Sequence, residues 1–374
     1  MKRNAAIVSA LMVALALVVP ALAQVESRDF QVSSQDTLRL EVERGDVIIN
    51  AGAGSRLAVR AHGLRDVEAL QTSQRGGEVM IEYRPSKLRS RGGRWWGDGG
   101  GERFEIDLPD TMNIDLSTAG GDVTINGNIM GRVTGRTAGG DIDVGDIGGV
   151  AELKTAGGDI KAGNVQSEAE LKTSGGDIEV RNVGGRLVAK TSGGSVEVGN
   201  VGGDAELSTA GGDVRAEVVS GSVEMKTAGG DVELGAGYGH VVAKTAGGDV
   251  DLRQVTGSVE AKTAGGTVRV ELTPEGTQRS QLSTAGGDIE LYLSGGNGVT
   301  IEAEIKDANE GGGWFSRNRR GGQRYDIQSD FEAASYEYDE DSGYVHAVYH
   351  VNGGGTLVRL DTAAGNILIR RGRQ

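Results

Sequence analysis

A tetrapeptide, Thr-Ala/Ser-Gly-Gly, returns every 18 residues between Thr137 and Thr263 without a slip. Its threonines are Thr137, Thr155, Thr173, Thr191, Thr209, Thr227, Thr245 and Thr263, with Thr118 and Thr284 extending the series at slightly longer spacings. A fixed period of this kind is the mark of a solenoid, in which each repeat is one turn that buries its apolar side only against its neighbours.

Each 18-residue unit divides into two nine-residue halves, as in GGDIEVRNV followed by GGRLVAKTS between Gly175 and Ser192. Both halves read Gly-Gly-x-apolar-x-apolar-x-x-x. Two apolar residues separated by one outward residue make a short strand with one buried face. The Gly-Gly pair is expected to supply positive φ angles at the corners. The apolar positions line up turn on turn: Ile142, Ile160, Ile178, Val196, Val214, Val232, Val250 and Val268 form one column. A second runs Val144, Ala162, Val180, Val198, Ala216, Leu234, Leu252 and Val270, and the facing half supplies Leu153, Leu171, Ala189, Leu207, Met225, Ala243 and Ala261. All three should point inward. Burial of one valine contributes about 1.5–3 kcal/mol before backbone entropy is subtracted, so one turn alone is unstable.

Two other architectures compete. A left-handed hexapeptide helix also has 18 residues per turn, but the spacings from Ile178 through Val180, Val183 and Leu187 are 2, 3 and 4, which is a nine-residue subperiod. An antiparallel meander predicts unbroken alternation, whereas Val165, Val183 and Val201 stand three residues after the preceding apolar position. The predicted fold class is therefore all-β, a parallel β-solenoid (β-helix) with two short strands per turn. Right-handed winding is the default for parallel connections. At about 4.8 Å per strand, the central turns should form a rod on the order of 40–45 Å long.

The ends are less regular. Met1-Lys2-Arg3, an apolar run from Ala5 to Val19 and then Ala21-Leu22-Ala23 predict a signal peptide over 1–23, cut after Ala23. Residues 24–108 and 295–374 are expected to be irregular capping turns around a regular array over 109–294 that stop open strand edges from recruiting other chains. The sequence contains no cysteine, so an exported chain would rely on burial and hydrogen bonds, with no disulfide and no cysteine-linked lipid. A net charge of −14 argues against nucleic acid as a partner.

Phe104-Glu105-Ile106-Asp107-Leu108-Pro109 ahead of Thr118-Ala119-Gly120-Gly121-Asp122-Val123, the recurring Gly-Gly-Asp-Val/Ile, and the closing Gly353-Gly354-Gly355 with Gly365-Asn366-Ile367 form a pattern over essentially the whole mature chain. In this the chain resembles a bacterial family of exported β-strand-repeat proteins of unknown function, labelled "putative adhesin" and related to the head domains of autotransporter-type adhesins. The resemblance implies a β-solenoid in the cell envelope and brings no catalytic residues with it.

The remaining columns read as structure before function. Asp141, Asp159, Asp177, Asp213, Asp231 and Asp249 form a ladder broken by Ser195 and Thr267. Calcium-binding glycine repeats place their aspartate where this chain has Val144, Val180 or Val198, so the aspartates are expected to cap turn N–H groups and face water. Lys154, Lys172, Lys190, Lys226, Lys244 and Lys262 stack beside the threonines and should lean toward neighbouring glutamates or the next corner's aspartate. The threonines are single file and flanked by lysine, which disfavours ice binding and favours a ladder with hydroxyls bonding along the stack. His346 and His350 share one strand face but lack a third ligand. No cofactor, no metal and no catalytic residue is predicted, and the chain is expected not to be an enzyme.

Two glycine-flanked segments break the pattern with chemical content. Arg91, Arg94, Trp95 and Trp96 lie in one, and Trp314, Phe315, Arg317, Arg319 and Arg320 in the other; together they hold all three tryptophans. Exposed Trp and Arg are common binding anchors that also suit sugar stacking or a membrane surface. The leading expectation is an exported, periplasmic or surface-exposed adhesin-like interaction module. Its partner would be an envelope component, a glycan or a protein, with peripheral membrane-surface contact. A purely structural spacer or self-assembling scaffold is the alternative.

Overall fold

The computed structural model describes residues 25–85, 101–306, 325–339 and 342–372. Apart from a single short 3-10 turn, Val67–Ala69, every regular element among them is a strand. Two columns of strands run through the repeat. The first stacks Ile142–Val144, Ile160–Val165, Ile178–Val183, Val196–Val201 and Val214–Val219, and the second stacks Ala151–Lys154, Ala169–Lys172, Leu187–Lys190, Ala205–Ser208 and Val223–Lys226. Neighbours within each column pair in parallel one repeat apart, Ile160 opposite Ile178 and Leu153 opposite Leu171. The solenoid-like, all-β reading of the periodicity is thus met. All three predicted apolar columns are buried and join one continuous core.

The glycine pairs serve a different purpose from the one expected. Within the regular turns neither glycine of the pair, for example Gly175 or Gly176, has a positive φ. The second glycine is required by close approach: a Cβ on Gly176 would lie under 3.0 Å from the carbonyl oxygen of Gly158, one turn away. The first glycine is less confined, with Gly157 leaving 3.3 Å to the Gly139 oxygen.

The threonines explain that crowding. They are buried, each 9% exposed or less. Thr155 Oγ1 donates to the Gly140 carbonyl at 2.8 Å and accepts from its own turn's Gly158 N–H at 3.3 Å. Thr173, Thr209, Thr227, Thr245 and Thr263 repeat both contacts. The expected threonine ladder therefore bonds along the stack, but through glycine carbonyls rather than from hydroxyl to hydroxyl. Hydroxyl to hydroxyl bonding would leave those glycine groups unpaired in a buried corner.

Regularity ends toward the C-terminus. In two turns the paired strands fuse into Val232–Lys244 and Val250–Lys262, 13 residues each. The pairing of Val250–Lys262 with Val268–Pro274 then shifts register between Leu252 and Val255, where Gln254 adopts a φ of 45°. Beyond it, Thr356–Thr362 stacks in parallel on Ser280–Thr284, and Ile367–Arg371 on Ile289–Leu293. The intervening chain extends the second column through Val299–Ile305, with Tyr344–Val351 and Ala333–Asp339 added antiparallel. At the other end, Val25–Gln31, Arg56–His62 and Arg103–Pro109 form one antiparallel set, and Leu70–Arg75 pairs antiparallel with Glu78–Tyr83. Tyr83 and Phe104 are fully buried there with ring centroids 5.5 Å apart.

Candidate functional site

Most of the repeated polar columns are used up in holding turns together. Asp141 Oδ1 accepts the Asp159 N–H at 2.8 Å, Asp159 accepts from Asp177 at 2.8 Å, and Asp249 closes the series on Thr267 at 2.7 Å. Ser195 keeps the line intact by accepting the Asp213 N–H at 3.2 Å. Lysines pair with glutamates: Lys154 with Glu152 at 2.9 Å, and Glu260 with both Lys262 and Lys244, at 2.8 and 2.9 Å. The hydrogen bond from Lys262, then that from Lys244, lowers the Glu260 carboxyl to about 2. Lys154 and Arg136 likewise lower Glu152, and Lys172 and Lys154 lower Glu170.

A different surface remains open. Along the outer face of the first column runs a trough of about 950 Å³, reaching from Gly127 to Arg253. One file of its lining comes from successive strands, Asp143, Lys161, Glu179, Glu197, Arg215, Glu233 and Asp251, each opposite the next. Two residues further along the strands the lining alternates between glycine, at Gly145, Gly163, Gly199 and Gly235, and the longer Arg181, Glu217 and Arg253. Asn182 and Asn200 edge it as part of an amide ladder: Asp146 accepts from the Asn164 side chain at 3.0 Å, Asn164 from Asn182 at 2.7 Å, and Asn182 from Asn200 at 2.8 Å. Arg215 is tied to Asp213 and Glu233, at 2.9 and 3.3 Å. Lys161, Glu179, Arg181 and Glu197 are exposed and take part in no ion pair among the described residues. Sequence reasoning missed this surface. Its signals were outward residues in register, Asn164, Asn182 and Asn200 above all, which carry no apolar period.

The trough opens at its C-terminal end into a second cavity of about 1130 Å³, with which it shares Gly235, Asp251 and Arg253. This one sits at the register shift and is lined by Tyr238, Gln254, Arg269, Glu271 and Tyr292 among others. Arg253 is held by Asp251 at 2.8 Å and Arg269 by Glu290 at 2.8 Å. The Tyr292 hydroxyl donates to the same Glu290 carboxylate at 3.2 Å. The hydrogen bond from Arg269 holds Glu290 below its usual range, and burial followed by the Glu290 charge raises the Tyr292 phenol.

A serine–histidine contact on the neighbouring corner is built for packing. His240 Nδ1 lies 2.8 Å from Ser258 Oγ, a nucleophile-to-base distance. Yet Ser258 is 2% exposed and its hydroxyl donates to Gln278 Oε1 at 2.9 Å, which makes the imidazole N–H the donor to serine. His346 and His350 share the outward face of Tyr344–Val351; His346 stacks on Tyr344 with centroids 6.3 Å apart, and His350 Nδ1 lies 3.5 Å from Thr300 Oγ1. Among the described residues no group of three or more metal-ligating side chains assembles. Arg91, Arg94, Trp95, Trp96, Trp314, Phe315, Arg317, Arg319 and Arg320 lie outside the described residues.

The stacked parallel turns and single apolar core define an all-β, solenoid-like repeat protein. The profile of the Toastrack DUF4097 family matches residues 35–240 and 203–311, and the chain belongs to that family. The family kinship expected from the Gly-Gly-Asp repeats is borne out by that profile. Similar solved structures include a putative cell adhesion protein from Clostridium sporogenes ATCC 15579, at 8% identity over 94% of this chain and 100% of that one, with a TM-score of 0.19. A putative adhesin from Bacteroides fragilis NCTC 9343 matches at 12% identity over 92% and 97% of the two chains, with a TM-score of 0.21. A putative lipid binding protein from Parabacteroides distasonis ATCC 8503 matches at 15% identity over 72% and 90%, with a TM-score of 0.23. No curated protein matches the sequence. No helix among the described residues is long and apolar enough to cross a membrane.

Proposed function

We propose that the protein is an exported, non-enzymatic interaction module of the periplasm or cell surface, a right-handed solenoid that holds an extended envelope partner along its side. The observation that carries this reading is the open trough of about 950 Å³, whose central charged residues Lys161, Glu179, Arg181 and Glu197 have no ion-pair partner among the described residues. A groove of stacked, exposed donors and acceptors suits holding a long ligand by many small contacts. The arginine- and tryptophan-bearing segments around Trp95 and Trp314 are proposed as additional anchors, and residues 24–108 and 295–374 as caps of the central array. The test is a pull-down of envelope material with wild type, with Glu179→Lys/Glu197→Trp, and with residues 91–98 and 313–320 deleted. Loss of retained material in the trough variant supports the reading. Undiminished retention by every variant contradicts it.

A scaffold role has one observation in its favour. Among the described residues, Val25–Gln31 and Leu70–Arg75 each pair on one side only. Such edges are templates for another chain. Sedimentation showing polymers that lengthen with concentration would favour the scaffold, and a monomer at all concentrations would remove its self-assembling form.

A further inference from the structure

We propose that the cavity at the register shift is a saccharide site that takes a few rings of an uncharged linear glycan. This rests on the reading of the chain as an interaction module and adds the ligand class and the residues that hold it.

A pyranose ring presents an apolar C–H face and a rim of hydroxyls, each both donor and acceptor. The cavity offers both halves of that chemistry. Tyr238 is 52% exposed, unusual in a chain whose aromatic content is 4%. Tyr292 lines the same cavity. Tyr238 lies on Val232–Lys244, and two strands, Val250–Lys262 and Val268–Pro274, separate it from Tyr292 on Ile289–Leu293. Three inter-strand steps put the aromatic residues roughly 14 Å apart along the axis, the length of a short oligosaccharide. Between them stand Arg253 and Arg269, fixed by Asp251 and Glu290. Each guanidinium has more N–H groups than its carboxylate engages, so donors and acceptors stand side by side in fixed geometry. Amphipathic rings beside such a pre-ordered polar set fit a sugar and lose little side-chain freedom on binding.

The other ligand classes fit less well. A phosphate or uronate would meet Arg253 and Arg269 already neutralised by Asp251 and Glu290, with the carboxylate of Glu271 in the same wall. Only Arg371, whose guanidinium lies over the Phe331 ring, stands without an ion pair among the described lining residues. A peptide strand needs an open edge, and Val250–Lys262, Val268–Pro274 and Ile289–Leu293 are each paired on both sides. Nucleic acid is opposed by the net charge of −14. The backbone adds an independent sign: Gln254, a non-glycine residue with a φ of 45°, lies in the cavity at the register shift. Backbone held in that region concentrates at ligand sites.

The experiment titrates the full chain with fluorescently labelled cellohexaose, chitohexaose and mannohexaose, with hexagalacturonate and inorganic phosphate in parallel. At least one neutral hexasaccharide should bind. Tyr238→Ala should weaken it about tenfold or more and Tyr238→Phe should leave it nearly unchanged, with the same pattern at Tyr292. Because the Tyr238 side chain is half exposed, its truncation spares the core and decides the matter even if the Tyr292 variant fails to fold. Binding of no neutral hexasaccharide, binding confined to hexagalacturonate or phosphate, or binding untouched by Tyr238→Ala would each overturn the proposal. If the wild type still retains envelope material while no hexasaccharide binds, the saccharide site falls and the interaction module stands.

Discussion

The Thr-Ala/Ser-Gly-Gly motif works as a staple between turns. In Thr209-Ala210-Gly211-Gly212 the threonine hydroxyl accepts from Gly212 of its own turn and donates to Gly194 of the one before, at 3.4 and 2.6 Å. Removing the hydroxyl while keeping the shape leaves a buried N–H and a buried carbonyl short of a partner. Thr209→Val should therefore cost about 1–3 kcal/mol in chemical denaturation, whereas Thr209→Ser should cost much less. The glycine pair should be unequal. A Cβ on Gly230 would lie under 3.0 Å from the backbone of Gly212, while one on Gly229 meets nothing nearer than 3.1 Å. Gly230→Ala should destabilise by about 1–3 kcal/mol and Gly229→Ala by clearly less, measured as the shift in denaturation midpoint.

At the scale of the strand, the glutamate–lysine file beside most of the repeat threonines makes stability depend on acid. The hydrogen bonds from Lys262 and Lys244 take Glu260 from an ordinary 4.5 to about 2, and lysine partners also lower Glu152, Glu170 and Glu206. A carboxylate depressed in the folded state contributes stability that is complete above its unfolded value and is lost as pH falls toward its folded one. The melting temperature should thus drop between about pH 4.5 and about pH 2, and the drop should be shallower in Glu260→Gln. Much of this scale was legible in advance. The inward columns through Ile142, Val144 and Leu153 follow burial, and burial imposes the period that reveals them. The role of Gly176 was misread because a positive φ and a close approach select the same residue. The amide ladder escaped notice because Asn164, Asn182 and Asn200 span only three turns. The longer spacing from Thr263 to Thr284 was visible, but not that the shift falls at Leu252 and Val255 or that it gathers Tyr238 and Tyr292 into one cavity. Those two tyrosines are 54 residues apart, and their meeting depends on the register of four stacked strands.

For the molecule as a whole, each turn contacts only its neighbours, so stability is a sum of turn and interface contributions. A break at a central turn should uncouple the two halves: Thr191→Val should broaden the denaturation transition and lower its apparent slope more than the same change at Thr137 near the start of the regular array. In the proposed function the repeat is a scaffold and its outer trough the working surface. The most direct measurement is retention of cell-envelope material by immobilised wild type against the trough variant Glu179→Lys/Glu197→Trp, with circular dichroism verifying that both are folded. The wild type should retain material and the folded trough variant should lose most of it. Equal retention by two folded proteins would contradict the proposed function.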